Sequence, residues 1–194
     1  LTWRGHNASM SHSSRIVPGL RSPAVGFEQP FEMLQACHER VQRSLDLLGR
    51  IVEHVDAHGH DDQSRSAAGD VLRYFDMAGP HHHEDEERHV FPPLSNHPDH
   101  RVRQAVTTLQ DEHVRMHALW QRLRAVLVAW RDTEPAPEIT PADRTLVAEF
   151  AALYAGHISL EETVVYPAAQ VVLDANALDP MGREMAARRS GKAR

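Results

Sequence analysis

Two stretches of the chain carry metal-binding side chains in the same order. The first, HHEDEERHVFP, runs from His82 to Pro92, and the second, HISLEETVVYP, runs from His157 to Pro167. In each, a histidine is followed four positions later by a glutamate, which places both on one face of a helix. Imidazole binds iron, zinc, copper and nickel, and added carboxylates favour iron or manganese. The two stretches therefore predict a metal site where two helices meet.

The spacing of the two stretches extends into the segments that precede them. Glu86 and Glu161 are 75 residues apart, and the same offset relates His38 to His113. Repetition at a constant spacing indicates an internal duplication, here of a helical hairpin. Two such hairpins would pack about a pseudo-twofold axis, and this packing would bring matching side chains together.

The side chains brought together would be unusual in a protein interior. His113 and His117 lie one turn apart, so they would join the other histidines at a similar depth. Buried imidazoles and carboxylates are costly unless water or cations compensate them. Two metal ions bridged by glutamates and capped by histidines would use all of these side chains.

The pattern of apolar residues predicts the elements that position this set. Apolar side chains recur at intervals of three and four residues in four segments, as expected of amphipathic helices. Strand-like alternation is absent over any useful length of the sequence. Four long helices joined by short loops predict an all-α, up-down-up-down four-helix bundle. The predicted helices run from Pro30 to about Val55, Gln63 to Phe91, His100 to Arg131, and Thr140, as N-cap, to about Ala175.

Tails are expected on both sides of the bundle, which we place at residues 29–176. Residues 1–28 are polar and patternless, and part of this N-terminal tail is interpreted as vector-derived because Met10 could be the natural start. His6 and His12 are assigned to it. Residues 177–194 are basic and are expected to form a frayed C-terminal tail.

Composition argues against several classes of binding partner and several cellular compartments. The 194 residues carry a formal net charge of −6, which does not favour a nucleic-acid backbone or an anionic membrane. No apolar run approaches the roughly 20 residues that a membrane span needs. The one cysteine, Cys37, excludes an intrachain disulfide and fits a reducing compartment. We therefore expect a cytoplasmic protein with no nucleic-acid or membrane partner.

These motifs resemble those of the hemerythrin-like (HHE cation-binding) domain family. The resemblance rests on His38, the two repeated stretches and EHVRMH in the third helix, and it covers roughly Phe31 to Ala175. It implies a four-helix bundle that holds a non-heme di-iron centre, at which respiratory members bind dioxygen reversibly. It implies Glu86 and Glu161 as bridging carboxylates. The ligands implied in all are His38, His82, Glu86, His113, His117, His157 and Glu161.

Two of these assignments have alternatives. Oxygen-carrying members place an aspartate five residues after the fourth-helix histidine, whereas this chain has Glu161 and Glu162 at the fourth and fifth places. Glu161 preserves the symmetry with Glu86, and Glu162 is the alternative. This departure weakens the oxygen-carrier interpretation more than metal binding. His117 has no counterpart, because Gln42 occupies the equivalent place, so its alternative is a partly exposed polar contact.

The neighbours of the ligands are assigned supporting or neutral roles. His81 and His83 are expected to be exposed or to lie just outside the ligands, and Glu87 and Glu162 could accept hydrogen bonds from ligand imidazoles. Cys37 is expected to be a small buried residue. The tyrosines are expected to pack in the core, and the alternative is that they approach the metals as hydrogen-bond donors just outside the ligands; they are Tyr74, Tyr154 and Tyr166.

Three functions are compatible with such a bundle. The first is a protein that binds dioxygen or a related diatomic, handles iron or senses redox state, and the absence of a substrate-pocket motif favours it over an enzyme. The second is a di-iron oxidase or peroxidase. The third is a mononuclear or metal-free structural bundle. A homodimer is compatible with all three.

Overall fold

The chain is predominantly helical in the part that the structure, a computed structural model, describes: residues 26–190. Within these residues there is no strand, so the predicted all-α class is confirmed. Residues 1–25 and 191–194, which include Met10, His6 and His12, lie outside the described residues. The α-helices are α1 (Pro30–His58), α2 (Asp62–Asp85), α3 (His100–Asp132), α4 (Pro141–Leu160), α5 (Tyr166–Val172) and α6 (Ala175–Arg189).

The four long helices pack on one another in a closed cycle. α1 contacts α2 and α4, and α3 contacts the same two helices. Their starts follow from local sequence. Thr140 caps α4 by accepting a hydrogen bond from the backbone of Asp143, with Pro141 in the first turn, as its sequence predicts. Asp61 and Ser64 form the corresponding reciprocal cap of α2.

Two of the long helices change their winding next to the candidate ligands. α2 passes into a π-helical segment at Glu86–Val90, and α4 passes into another at Glu161–Val165. The sequence predicts continuous helices here and gives no signal for the change. Single π-helical turns inside α-helices are rare and occur frequently at functional sites. Each of these segments begins at one of the two glutamates predicted to bridge metals.

The apolar core is divided into two clusters. The first includes Val41, Leu48 and Leu123, and the second includes Leu34 and Leu109. Along α1 the chain passes from the second cluster to the first through His38, and along α3 it does so through His113. Fully burying one leucine contributes about 1.5–3 kcal/mol, so apolar packing on both sides fixes the helices around a polar layer.

The C-terminal segment differs from the expected frayed tail. It forms α6, capped by Asp174, with Met181 and Met185 buried in the second cluster. Arg188 contributes a second anchor because its guanidinium pairs with the fully buried Asp85. The two methionines lie four residues apart on one helical face, and this apolar signal outweighs the basic composition on which the expectation of a tail rested.

Close packing of α6 against Phe27, just before α1, requires a glycine. A Cβ atom at Gly182 would lie 1.9 Å from the carbonyl oxygen of Phe27, so any larger residue would displace the backbone.

Among residues 26–190, no helix is both long and apolar enough to cross a membrane.

Candidate metal centre

Six of the seven predicted ligands converge between the two apolar clusters. Each is buried, with at most 8% of its surface exposed. They come from four segments of the chain, because α1 and α3 each supply one histidine, whereas α2 and α4 each supply a histidine and lead into a glutamate. The six are His38, His82, Glu86, His113, His157 and Glu161.

The first half of the centre is the pair His38 and His82. Their Nε2 atoms lie 3.2 Å apart. His38 Nε2 is 3.0 Å from Oε2 of Glu161, and His82 Nε2 is 3.6 Å from Oε1 of Glu86. These four residues form one group whose ligand atoms could surround a single ion.

The second half is the pair His113 and His157, and its geometry is nearly the same. Their Nε2 atoms lie 3.1 Å apart. His157 Nε2 is 2.8 Å from Oε1 of Glu161, and His113 Nε2 is 3.4 Å from Oε2 of Glu86. Both glutamates therefore belong to both groups, and each directs one oxygen toward each half. Such a carboxylate can bridge two ions.

The chemistry of these atoms fits cations better than a hydrogen-bond network. Within residues 26–190, no hydrogen bond reaches the buried Oε2 of Glu86 or either carboxylate oxygen of Glu161, although imidazole nitrogens lie nearby. Buried polar atoms are rarely left without partners. When two nitrogens bind the same ion, each at about 2.1 Å, the two nitrogens lie roughly 3.0–3.4 Å apart. The two Nε2 pairs have this separation, so each half could hold an ion between its ligands.

Carboxylates orient three of the four imidazoles from outside. Nδ1 of His38 lies 2.8 Å from Glu162, and Nδ1 of His113 lies 2.9 Å from Glu87. Both contacts agree with the roles expected of these glutamates. A carboxylate that accepts Nδ1–H fixes the ring and leaves Nε2 free for a metal. Glu162 is therefore placed outside the centre, whereas Glu161 lies within it.

The third contact of this kind was not identified from the sequence. Nδ1 of His157 lies 2.9 Å from Glu112, a residue whose counterpart 75 positions earlier is Cys37. Reasoning from the repeat selects residues that recur, so it could not select Glu112. Cys37 is buried, and its burial raises the pKa of the thiol. In the first half, Nδ1 of His82 is buried and has no hydrogen-bond partner in the part of the chain that the structure describes.

Protons and charges in the centre are tightly linked. Burial works against a charged His157, but Glu161 outweighs it and raises the pKa of His157 to about 9. Burial alone would raise the pKa of Glu161, yet His157 and His38 lower that pKa to about 2. Burial lowers the pKa of His82 to about 3. Protons on imidazoles thus compensate the carboxylates, and a bound cation would replace those protons.

His83 lies closer to the centre than its sequence context suggests. Its ring stacks on His113 with centroids 4.0 Å apart, and its Nε2 is buried without a hydrogen-bond partner. It forms a third potential metal-binding group with His113 and His157. Burial lowers the pKa of His83 well below its ordinary value. His83 therefore offers a neutral imidazole to the second half of the centre, and no potential metal-binding group of the described residues joins it to the first half.

His117 is the predicted ligand that the structure does not bring to the centre. Its side chain is exposed, and it belongs to none of the potential metal-binding groups among the described residues. Three and seven residues along α3 from His113, the inward positions are occupied by Met116 and Trp120, which pack in the first cluster. The alternative interpretation, a polar residue in contact with solvent, describes its position.

Tyr166 contributes a hydroxyl to the first half. This hydroxyl donates a hydrogen bond to Oε1 of Glu86 and lies 3.2 Å from Nε2 of His38. Burial raises the pKa of Tyr166 well above its ordinary value, so the phenol keeps its proton. Two roles are expected of this tyrosine, packing in the core or donating a hydrogen bond beside the ligands, and the structure shows both.

Fold and site together define an all-helical protein whose interior holds a histidine–glutamate cluster suited to cations. Comparison with known proteins agrees, because the model of the hemerythrin HHE cation-binding domain matches residues 29–169. The chain belongs to this family. It is also 31% identical over 166 residues to an uncharacterized protein of Haemophilus influenzae (strain ATCC 51907 / DSM 11121 / KW20 / Rd), a match that covers 86% of this chain and 93% of that protein.

Proposed function

We propose that the protein holds two non-heme iron ions in an up-down-up-down bundle built from two duplicated helical hairpins. One ion would be bound by His38 and His82, and the other by His113 and His157. Glu86 and Glu161 would bridge them. The observation that carries the proposal is that each of these glutamates directs one oxygen toward each pair of histidines.

The donor set favours iron. Four imidazoles and two carboxylates combine nitrogen and oxygen donors without a thiolate. This donor set suits iron or manganese, whereas a sulfur-rich donor set would favour zinc. The sulfur of Cys37 belongs to none of the potential metal-binding groups among residues 26–190. Glu87, Glu112 and Glu162 would increase the basicity of the bound imidazoles.

The activity we propose is binding of dioxygen or a related small diatomic ligand, in iron handling or in redox sensing. Bound ferrous iron would supply electrons to such a ligand. The protein's part is to exclude bulk water and to hold protons in place. The apolar clusters on both sides serve the first task, and the Tyr166 hydroxyl on Glu86 serves the second.

A di-iron oxidase or peroxidase is a second candidate, favoured by one observation. A cavity of about 550 Å³ lies between α2 and α3 and is lined in part by His83 and His113. An organic substrate in this cavity would lie beside the second half of the centre. Rapid mixing of the ferrous protein with dioxygen separates the two activities. A spectrum that persists, and reverses when oxygen pressure falls, supports binding, whereas steady consumption of dioxygen or peroxide supports turnover.

Metal analysis tests the centre itself. Protein produced in iron-replete medium is expected to contain about two equivalents of iron per chain, since each half offers one complete group. Glu161→Ala should lose most of this iron while remaining helical by circular dichroism. Glu149→Ala, an exposed position on α4, is the matched control and should keep both equivalents. Zinc alone, or no metal, would contradict the proposal.

A further inference from the structure

The cavity between α2 and α3 has a wall of large apolar side chains. Its volume, about 550 Å³, is in the range of small-molecule sites. Phe75, Trp120 and Tyr154 line it, and the Phe75 ring lies 5.1 Å from that of Trp120 and 5.6 Å from that of Tyr154. Aromatic rings at such distances offer edges and faces to a further ring. Met116 adds a thioether, which also packs favourably against aromatic rings.

The charged side chains that line this cavity are already paired. Arg88 lies 2.5 Å from Glu84, and Glu87 contacts Nδ1 of His113 at 2.9 Å and Gln110 at 3.0 Å. An ionic ligand would therefore lose its hydration without gaining an unpaired counter-charge, which is unfavourable. A neutral ligand would lose little hydration. The charge pattern thus selects for neutral molecules.

The cavity leads from the surface to the centre. Val114, with 71% of its surface exposed, lies at its mouth. The stacked rings of His83 and His113 form part of its inner wall, and His113 also contacts Glu86. A molecule in the cavity would therefore lie against the second half of the centre. At the positions 75 residues from His83 and Val114 the chain has Ile158 and Glu39, so this lining does not recur beside the first half.

We propose that this cavity binds a neutral small molecule with a single aromatic ring, which would lie beside the second half of the centre without binding to a metal ion. The proposal goes beyond metal binding and does not require it, because the lining consists of protein side chains that are in place without an ion. If the centre is a di-iron enzyme, such a molecule is the class of substrate that the cavity would present to it.

Three probes with the same ring test the charge and shape of the site. Toluene is neutral, benzoate is anionic and benzylamine is cationic at neutral pH. Calorimetry with the full chain should show one toluene site with a dissociation constant on the order of 0.1–1 mM. Both ions should bind at least about tenfold more weakly. Absence of toluene binding, or equal binding of the three probes, would overturn the proposal.

A substitution at the mouth locates the binding. Val114→Trp should block the cavity and weaken toluene binding about tenfold or more. Val171→Trp is the matched control, because Val171 is 86% exposed and lies on α5, away from the cavity. Equal toluene affinity in the two variants would show that binding occurs elsewhere and would overturn the assignment.

Measurement in metal-free and iron-loaded protein separates this proposal from that of the metal centre. Toluene binding by the metal-free chain supports the cavity whatever the outcome of metal analysis. Two equivalents of iron with no toluene binding would leave the metal centre supported and the cavity proposal refuted.

Discussion

The two halves of the centre agree in their inner atoms and differ in what surrounds them. The paired Nε2 atoms are 3.2 Å apart in the first half and 3.1 Å in the second, and Glu162 and Glu87 contact Nδ1 of one histidine in each half at 2.8 and 2.9 Å. Beyond these atoms the likeness ends. Within the described residues, Glu112 contacts a histidine of the second half, His83 joins a potential metal-binding group with the second half only, and the Tyr166 hydroxyl contacts His38 of the first half.

This difference separates two requirements on the sequence. Holding two ions requires the same ligands twice, and the repeated positions supply them. Making the ions unequal requires residues that do not repeat. Glu112 replaces a thiol, and Tyr166 replaces Phe91 at the equivalent position. Because Glu112 orients His157, and among the described residues no group hydrogen-bonds Nδ1 of His82, the second half should bind its ion more tightly.

The largest effect on iron content is expected when a ligand shared by both halves is replaced, compared with replacement of a ligand that belongs to one half. Glu161→Ala should reduce the iron content from about two equivalents to near zero, because Glu161 contacts both pairs. His38→Ala should leave about one equivalent, because the second half keeps both of its histidines. Iron per folded chain, by elemental analysis, measures both. If His38→Ala also lost both ions, the halves would not be separable units.

Removing the carboxylate behind His157 should affect one ion only. Glu112→Gln keeps the size of the side chain but weakens the hold on Nδ1, and the loss of such partners typically lowers metal affinity about 10- to 100-fold. Competition with a chelator should show this loss for one of the two ions. Asp111→Asn, at the exposed neighbouring position, should leave both affinities unchanged. Equal weakening of the two ions would argue against unequal halves.

His83 should matter less than Glu112, and only to the second half. His83→Phe keeps a ring against His113 but removes the unpartnered Nε2, so we expect an affinity about tenfold lower for one ion, near 1.4 kcal/mol. The absorption spectrum of the iron-loaded protein should change as well. His81→Phe, two residues away, is the control, because His81 belongs to no potential metal-binding group of the described residues. Identical spectra and affinities for the two variants would exclude a role for His83.

The sequence predicted the six side chains that meet in the centre because repetition and helical periodicity both point to them. His38 and His113 are paired by their offset, and the apolar periodicity that includes Val41 and Leu48 predicts that this face of α1 lies in the core. Glu112 could not be found in this way, because its contact with His157 depends on how α3 and α4 rotate against each other. No residue pattern in the sequence specifies that rotation.

Other features escaped prediction for different physical reasons. The π-helical turns at Glu86 and Glu161 arise from a local change in hydrogen bonding that composition does not reveal. The burial of α6 depends on Met181 and Met185, which are few among many charged residues. His117 has the correct spacing from His113, yet its side chain lies on the exposed side of α3. Spacing restricts the choice of face, and packing decides which side chains point inward.

The smallest effect concerns the hydroxyl of Tyr166, which the second half lacks. Tyr166→Phe removes the donor to buried Glu86, so the metal-free protein should lose about 1 kcal/mol of unfolding free energy, measured with urea. In iron-loaded protein the loss should be less than half of this, because a cation compensates the same carboxylate. Tyr74→Phe removes a hydroxyl that donates to the backbone of Cys37, away from the carboxylates, and should act equally in both states. Equal losses for Tyr166→Phe in the two states would mean that its hydroxyl and the ion do not act on the same carboxylate, and that the two halves do not differ in how Glu86 is held.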